Sequence, residues 1–316
     1  MCTSAAQALR IKADYGTLHL IDARQAADDP LVEEITRRGL DLDEGMAIFA
    51  DGRIYHGAEA LAFMARYGDT RNAFMAAVRS LYWSKAIAAL TYPFLRGTRN
   101  WLLRRKGAGR IDNLGLKSEP TFKAVFGEDW EKLPPVLMQH YANRPYTSDE
   151  VVVEGLLDVA CSGPLRLLAP LLHVMGHIPA RNEKGVAVTV RFTSDMHTKA
   201  FHFDRTFGFA SGPYRFHSRM FHSGGNEVVE VMRYGLGWRM HCSWDGDRIV
   251  LQHRGYCARI LGHDVPVPLG LLLGAGHAEE WAVDDDHFDM MTSITHKWWG
   301  RVYEYKGRFR IVRGAG

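Results

Sequence analysis

Cysteine is scarce in this 316-residue chain: Cys2, Cys161, Cys242 and Cys257 are its four, all far apart. That spacing supplies neither a zinc ligand set nor a disulfide framework, and it fits a reducing cytoplasm. Excess charge is lacking as well, and a net charge of +3 at pH 7 is too mild to point to nucleic acid. No uninterrupted apolar run reaches the roughly 18 residues of a spanning helix. No charged–apolar–small leader is visible at the start. With 47% hydrophobic and 24% charged residues, the composition is that of a globular protein long enough for two domains.

The first residues carry the sharpest chemical signal. Cys2 stands at the head of Thr3–Lys12, which the pattern predicts as a helix capped by Thr3 or Ser4. Gly16 breaks it, and residues 17–22 read as a short apolar strand. A helix N-terminus favours a thiolate through its dipole and free N–H groups. This order resembles the DCC thiol-disulfide oxidoreductase family. Leu18–Arg24 looks like that family's second strand, Gly39–Met46 like the turn into its third, and Asp51–Ala60 like its closing hairpin and last helix.

The resemblance covers about residues 1–112 and implies a thioredoxin-like fold. It puts Cys2 on the second, resolving cysteine of an Asp-Gly-x-Cys-x-x-Cys motif whose first strand and first cysteine are missing here. Two accounts stay open: Met1 is an internal residue of an intact Cys-x-Met-Cys motif, or the domain is degenerate and lacks its nucleophile. Either way a lone resolving thiol does not complete a dithiol cycle. The expected partner is a disulfide-bearing protein or a small thiol, with no cofactor. The strands at 17–22 and 46–50 are expected to be loose or to pair directly.

Helices are predicted over 59–66 and 72–90. Residues 91–106 are aromatic, aliphatic and basic, with no acid between Arg96 and Arg110. They read as a peripheral membrane contact or, more plainly, as an amphipathic helix packed on its own domain. A Gly-rich polar stretch over 106–118 marks the boundary, with domains at 1–112 and 119–316 joined by a linker at 113–118.

The second half begins with predicted helices at 119–127, 129–142 and 164–175. From Val186 the period changes to two: Val188, Val190 and Phe192 alternate with polar residues, as do Phe201 and Phe203. Leu236, Trp238, Met240, Cys242 and Trp244 share one face. The fold class is therefore α+β: a truncated thioredoxin-like α/β domain followed by a mostly antiparallel β-rich domain with N-terminal helices.

Residues 119–312 resemble an uncharacterised bacterial domain of unknown function, number forty-one sixty-six in that series. The resemblance rests on Phe126–Pro135, Val188–Phe192 and Asp204–Phe207, and on His296, Gly300, Tyr303, Tyr305 and Gly307. That family also occurs fused to dehydrogenase-like domains, which implies an accessory redox role and no particular reaction.

Site candidates divide by face. His173 and His177 are four apart on a helix but lack a third ligand, so packed or surface histidines are expected rather than a metal site. Asp284–His287 reads as a solvated turn. Ser211, Ser218 and Ser243 sit in no nucleophile motif. Arginines and histidines are dense on the strands: Arg191, Arg205, Arg215, His217, Arg219 and Arg239, with His202, Arg233, His241 and Arg254 beside them and His296 in the closing motif. Pointed inward on a curved sheet, they would hold an anionic head group above an apolar tail. Pointed outward, they simply face water. The leading functional expectation is a truncated or degenerate thiol-disulfide oxidoreductase with an accessory β-rich domain. Its alternative is a non-enzymatic module for an amphipathic or lipid-like ligand. Both are placed in the cytoplasm, the second also at a membrane surface.

Overall fold

In a computed structural model of the chain, residues 19–67, 91, 97–99, 101, 102, 105, 110–260 and 263–315 are described. The chain divides into two compact units, Met1–Gly115 and Leu116–Gly316. Cys2, the helix at 3–12, the helix at 72–90 and most of 91–106 lie outside the described residues.

In the first unit, Asp29 and Pro30 start helix α1 (Pro30–Arg37): the Asp29 side chain accepts from the Leu31 N–H at 2.8 Å. Strands β1 (Ala47–Ala50) and β2 (Arg53–His56) form a hairpin. Asp51 and Gly52 both turn with positive φ, as a two-residue hairpin demands. Helix α2 (Ala58–Tyr67) follows, so the expected hairpin and helix are present.

One expectation needs correction. Residues 19–22 form no strand; instead the Asp22 side chain and carbonyl organise the turn after it. Residues 110–113, where the first domain gives way to the linker, are tied into the first unit. The Asp43 carboxylate accepts from the Ile111 and Asp112 N–H groups at 2.9 and 2.8 Å, and Asn113 bonds Leu40 and Leu42.

The second unit opens with α3 (Thr121–Phe126), a 3-10 turn (Gly127–Lys132) and α4 (Pro135–His140). The helix expected over 129–142 is split because Pro134 and Pro135 can start a helix but cannot continue one. Strands β3 (Glu150–Cys161), β4 (Glu183–Ser194), β5 (Phe201–Phe209), β6 (Gly212–Gly224), β7 (Glu227–Met232), β8 (Leu236–Trp244) and β9 (Ile249–Ile260) pair in sequence, all antiparallel. Helices α5 (Gly163–Leu167) and α6 (Ala169–Met175) lie between β3 and β4, where one helix is expected; the break falls at Leu168.

The sheet then closes. Strand β9 pairs with β8 along one edge and with β11 (Ala275–Ala282) along the other, and β12 (His287–His296) and β13 (Gly300–Arg313) lead back to β3. Strand β10 (His263–Val267) and the short helix α7 (Gly270–Leu273) complete the elements, with β10 bound to the far half of β9. The result is a ten-stranded antiparallel barrel with β10 outside the ring.

Alternation decides what fills it. The odd-numbered residues of β5 face inward, as do Trp238, Met240 and Cys242 of β8. Helices α3 and α4 stop one end: Phe122 packs on Phe201, and His140 on Phe192 and Phe288. Asn143 and the Arg144–Asp149 pair pin these helices to the start of β3 and the end of β4.

Where β3 crosses β13, Gly155 and Gly307 let the two backbones meet. A Cβ on Gly307 would collide with the Leu156 carbonyl, and one on Gly155 with that of Arg308. Gly307→Ala is expected to cost about 1–3 kcal/mol, read as a fall of roughly 3–10 °C in the thermal midpoint. An unchanged midpoint would mean that the strands separate there without strain.

Candidate functional site

The interior of the barrel holds a cavity of about 70 Å³. Its walls are mainly apolar, including Val153, Val190, Phe203, Phe207, Trp238 and Phe288. Two polar clusters face it, and each is built by side chains that the strand alternation turns inward.

The first is Arg205. It sits in a run of inward phenylalanines, Phe201, Phe203, Phe207 and Phe209, and its guanidinium lies 5.0 Å from the Phe203 ring and 4.7 Å from the Phe216 ring. It donates to Glu230 at 2.9 Å and to the Ser218 hydroxyl at 2.9 Å, and Ser218 donates to the same Glu230 oxygen at 2.6 Å. Burial alone lowers the guanidinium, but Glu230, with weaker help from Tyr305 and Tyr303, leaves it above its ordinary value. The cation is therefore permanent and neutralised in place.

The second is Glu280 on β11. Tyr141 donates to its Oε2 at 2.8 Å, and the His140 Nε2 lies 3.5 Å from the same oxygen. Burial pushes Glu280 up to about 7, against smaller downward pulls from Tyr141 and Arg205. Burial lowers His140 to about 3, so its ring is neutral near pH 7. The His140 Nδ1 and the Tyr303 hydroxyl are buried without a hydrogen-bond partner. A carboxyl that titrates near neutrality, in an apolar chamber, can accept from an alcohol or amine or pass a proton.

Of the basic residues singled out in the sequence, Arg205 lines the interior. Arg191, Arg215, His217 and Arg219 point out to solvent, and Arg191 and His217 pair with Glu150 and Asp204. Arg239 also faces outward and holds Glu227 with two nitrogens. His296 is buried at one end of the barrel, where it bonds the Leu271 carbonyl at 3.0 Å. These residues therefore do not form one anion site: Arg191, Arg215, His217, Arg219 and Arg239 alternate with the apolar residues that took the inside. His173 stacks near Tyr214, and the His177 Nδ1 meets the Met232 sulfur at 3.3 Å. Asp284 and His287 pair across the turn from β11 to β12. The sequence reading missed Glu230 and Glu280 as interior groups. Their signal was a charged residue on the apolar phase of a strand, which also marks Arg205.

The pH dependence of stability tests the second cluster. Between the unperturbed values of 4.5 for Glu280 and 6.5 for His140, the folded state holds a proton on Glu280 that the unfolded state has lost. Over the same range it lacks a proton on His140 that the unfolded state binds. The two slopes cancel. Glu280→Gln removes the first, so its stability relative to the parent is expected to rise by about 1.4 kcal/mol per pH unit over that range. By pH 8 the gain is about 3 kcal/mol, because the parent then buries an ionised carboxylate. Thermal unfolding of both proteins at pH 5 and pH 8 measures this. An equal difference at the two pH values would show that Glu280 titrates normally.

Among solved structures, the crystal structure of Rv2717c from M. tuberculosis is similar at 13% identity and a TM-score of 0.30, covering 57% of this chain and 99% of that one. The S-type phycobiliprotein lyase CPES from Guillardia theta is similar at 8% identity and a TM-score of 0.22, covering 52% and 86%. The dehydratase domain of the polyketide PpsC from Mycobacterium tuberculosis follows at 8% and 0.13, covering 55% and 78%. No curated protein matches the chain. The model of the domain of unknown function DUF4166 matches residues 133–309, from the plugging helix α4 through the inward aromatics of β13, and the chain belongs to that family.

Proposed function

We propose that the barrel of residues 116–316 is a binding module for a small amphipathic ligand. The observation that carries this reading is an apolar chamber with a carboxyl on its wall that burial pushes up to about 7 and that, among the described residues, only Tyr141 donates to directly. The apolar body of the ligand lies against Phe203, Phe207 and Phe288, and its polar end donates to Glu280. Because Glu230 already neutralises Arg205, the chamber favours an alcohol or amine over the anionic head group that the sequence suggested.

Size supports a modest ligand. The cavity of about 70 Å³ is half of the roughly 150 Å³ that accepts benzene in an apolar core, so entry displaces side chains. Met220 and Met290 on the wall are unbranched and adapt at low cost.

The test is titration with a fluorescent aryl or alkyl amine, followed by quenching of Trp238, in the parent and in Ala278→Leu. Leucine at this wall position fills the space, and affinity is expected to fall at least about tenfold with the fold retained. Equal affinity in both proteins would move the ligand out of the chamber.

For the first unit, thiol–disulfide exchange remains a proposal supported by the order of motifs over residues 1–112. Insulin reduction is expected of a chain extended upstream so that the first cysteine of the motif is restored, and is expected to fall to background when Cys2→Ser is added to it; activity retained there would take Cys2 out of the mechanism.

A further inference from the structure

The two ends of the barrel differ. Helices α3 and α4 stop the end where β3 begins. At the other end lie the close of β3, the start of β13, and helices α5 and α6. Ser162 bonds both the Arg301 and the Val302 carbonyls, while Gly176, at the far end of α6, approaches the Arg233 side chain after β7. The helix pair therefore crosses this rim from β13 to β7. The loop through α7 joins it, because His296 at the end of β12 holds the Leu271 carbonyl.

The helix pair is apolar on both sides. Leu165, Leu168 and Leu172 pack on the barrel core. Leu167, Leu171 and Val174, spaced by four and three residues, form a second stripe turned outward, with Leu167 82% and Val174 75% exposed. Beside it stand Leu271, 68% exposed, and Trp298 and Trp299, of which Trp298 is 64% exposed. A surface carrying so many large apolar side chains at one end is not what water alone selects.

Charge says what covers it. Residues 162–182, 268–274 and 296–300 contain Arg166, Arg181 and Lys297 and no aspartate or glutamate. Arg233 adjoins them, its guanidinium over the Tyr234 ring. Exposed leucines, paired tryptophans and cations in segments without acids are the combination that seats a protein in the interface of an anionic bilayer: apolar side chains below the head groups, indoles at their level, cations on the phosphates.

The geometry points to this rim as a docking surface for an anionic lipid membrane, with α5–α6, the 268–274 loop and Trp298–Trp299 inserted. This rim lies apart from the chamber, and docking there does not require the chamber to bind anything. It also differs from a contact through 91–106, which belongs to the other unit.

The full chain is to be sedimented with vesicles of phosphatidylcholine alone and with about one third phosphatidylserine, at low and at physiological salt. Binding is expected to the anionic vesicles only, weakened by salt. In Leu171→Glu and in Trp298→Glu, both at exposed positions, it should fall at least about tenfold, with circular dichroism and thermal midpoint unchanged. Binding that survives both substitutions would overturn the proposal and assign it to another segment. Absence of binding to either vesicle would also overturn it. So would light scattering that shows a dimer in the parent and a monomer in Leu171→Glu without vesicle binding, since a second copy would then be the occupant.

Discussion

The pairing of β8 with β9 is the constraint from which the barrel follows. With that edge open, the sheet would have two exposed edges and two comparable faces. Once it closes, one face becomes a buried interior, and every second residue of ten strands is committed to it. Apolar residues fill most of those positions. The polar ones are then placed under severe conditions: Arg205 must find Glu230, Ser218 must bridge them, and Glu280 must stay protonated or find a donor. The chemistry of the chamber is thus a consequence of closure rather than of any local motif.

Much of this was legible in the residues. Val188, Val190 and Phe192, the phenylalanines of β5 and the Leu236–Trp244 face all announce strands with one buried side, and the composition change at 106–118 announces two units. Closure was not legible, because the register that joins Leu236 to Ala258 and Gly237 to Cys257 is set by tertiary geometry and by a shift near Arg239. For the same reason the dense outward arginines drew more notice than the single inward one. Charged residues are common on a solvated face, and nothing local shows which phase is inside. Strand β3 was overlooked although Val151, Val152 and Val153 are β-branched. In the first unit, α1 was overlooked although Asp29 and Pro30 are helix-start residues, and residues 19–22 show that an apolar run next to a turn need not pair.

The two clusters in the chamber play unlike roles. Arg205, Ser218 and Glu230 bond one another fully and make a rigid polar floor; removing any one would strand a buried charge or hydroxyl. Glu280, Tyr141 and His140 retain unused capacity at the His140 Nδ1. A closed network stabilises one arrangement of the core, while an incompletely satisfied one is where binding energy can be gained.

The stopping helices have a topological consequence. The Thr121 N–H bonds the Asn143 carbonyl, Asn143 reaches Asp149 at the head of β3, and Arg313 at the close of β13 pairs with Glu150. The backbone therefore enters and leaves this module at the same pole. Such a layout lets the module be spliced into, or appended to, another polypeptide as a side pendant, since host chain on either side would depart from one point.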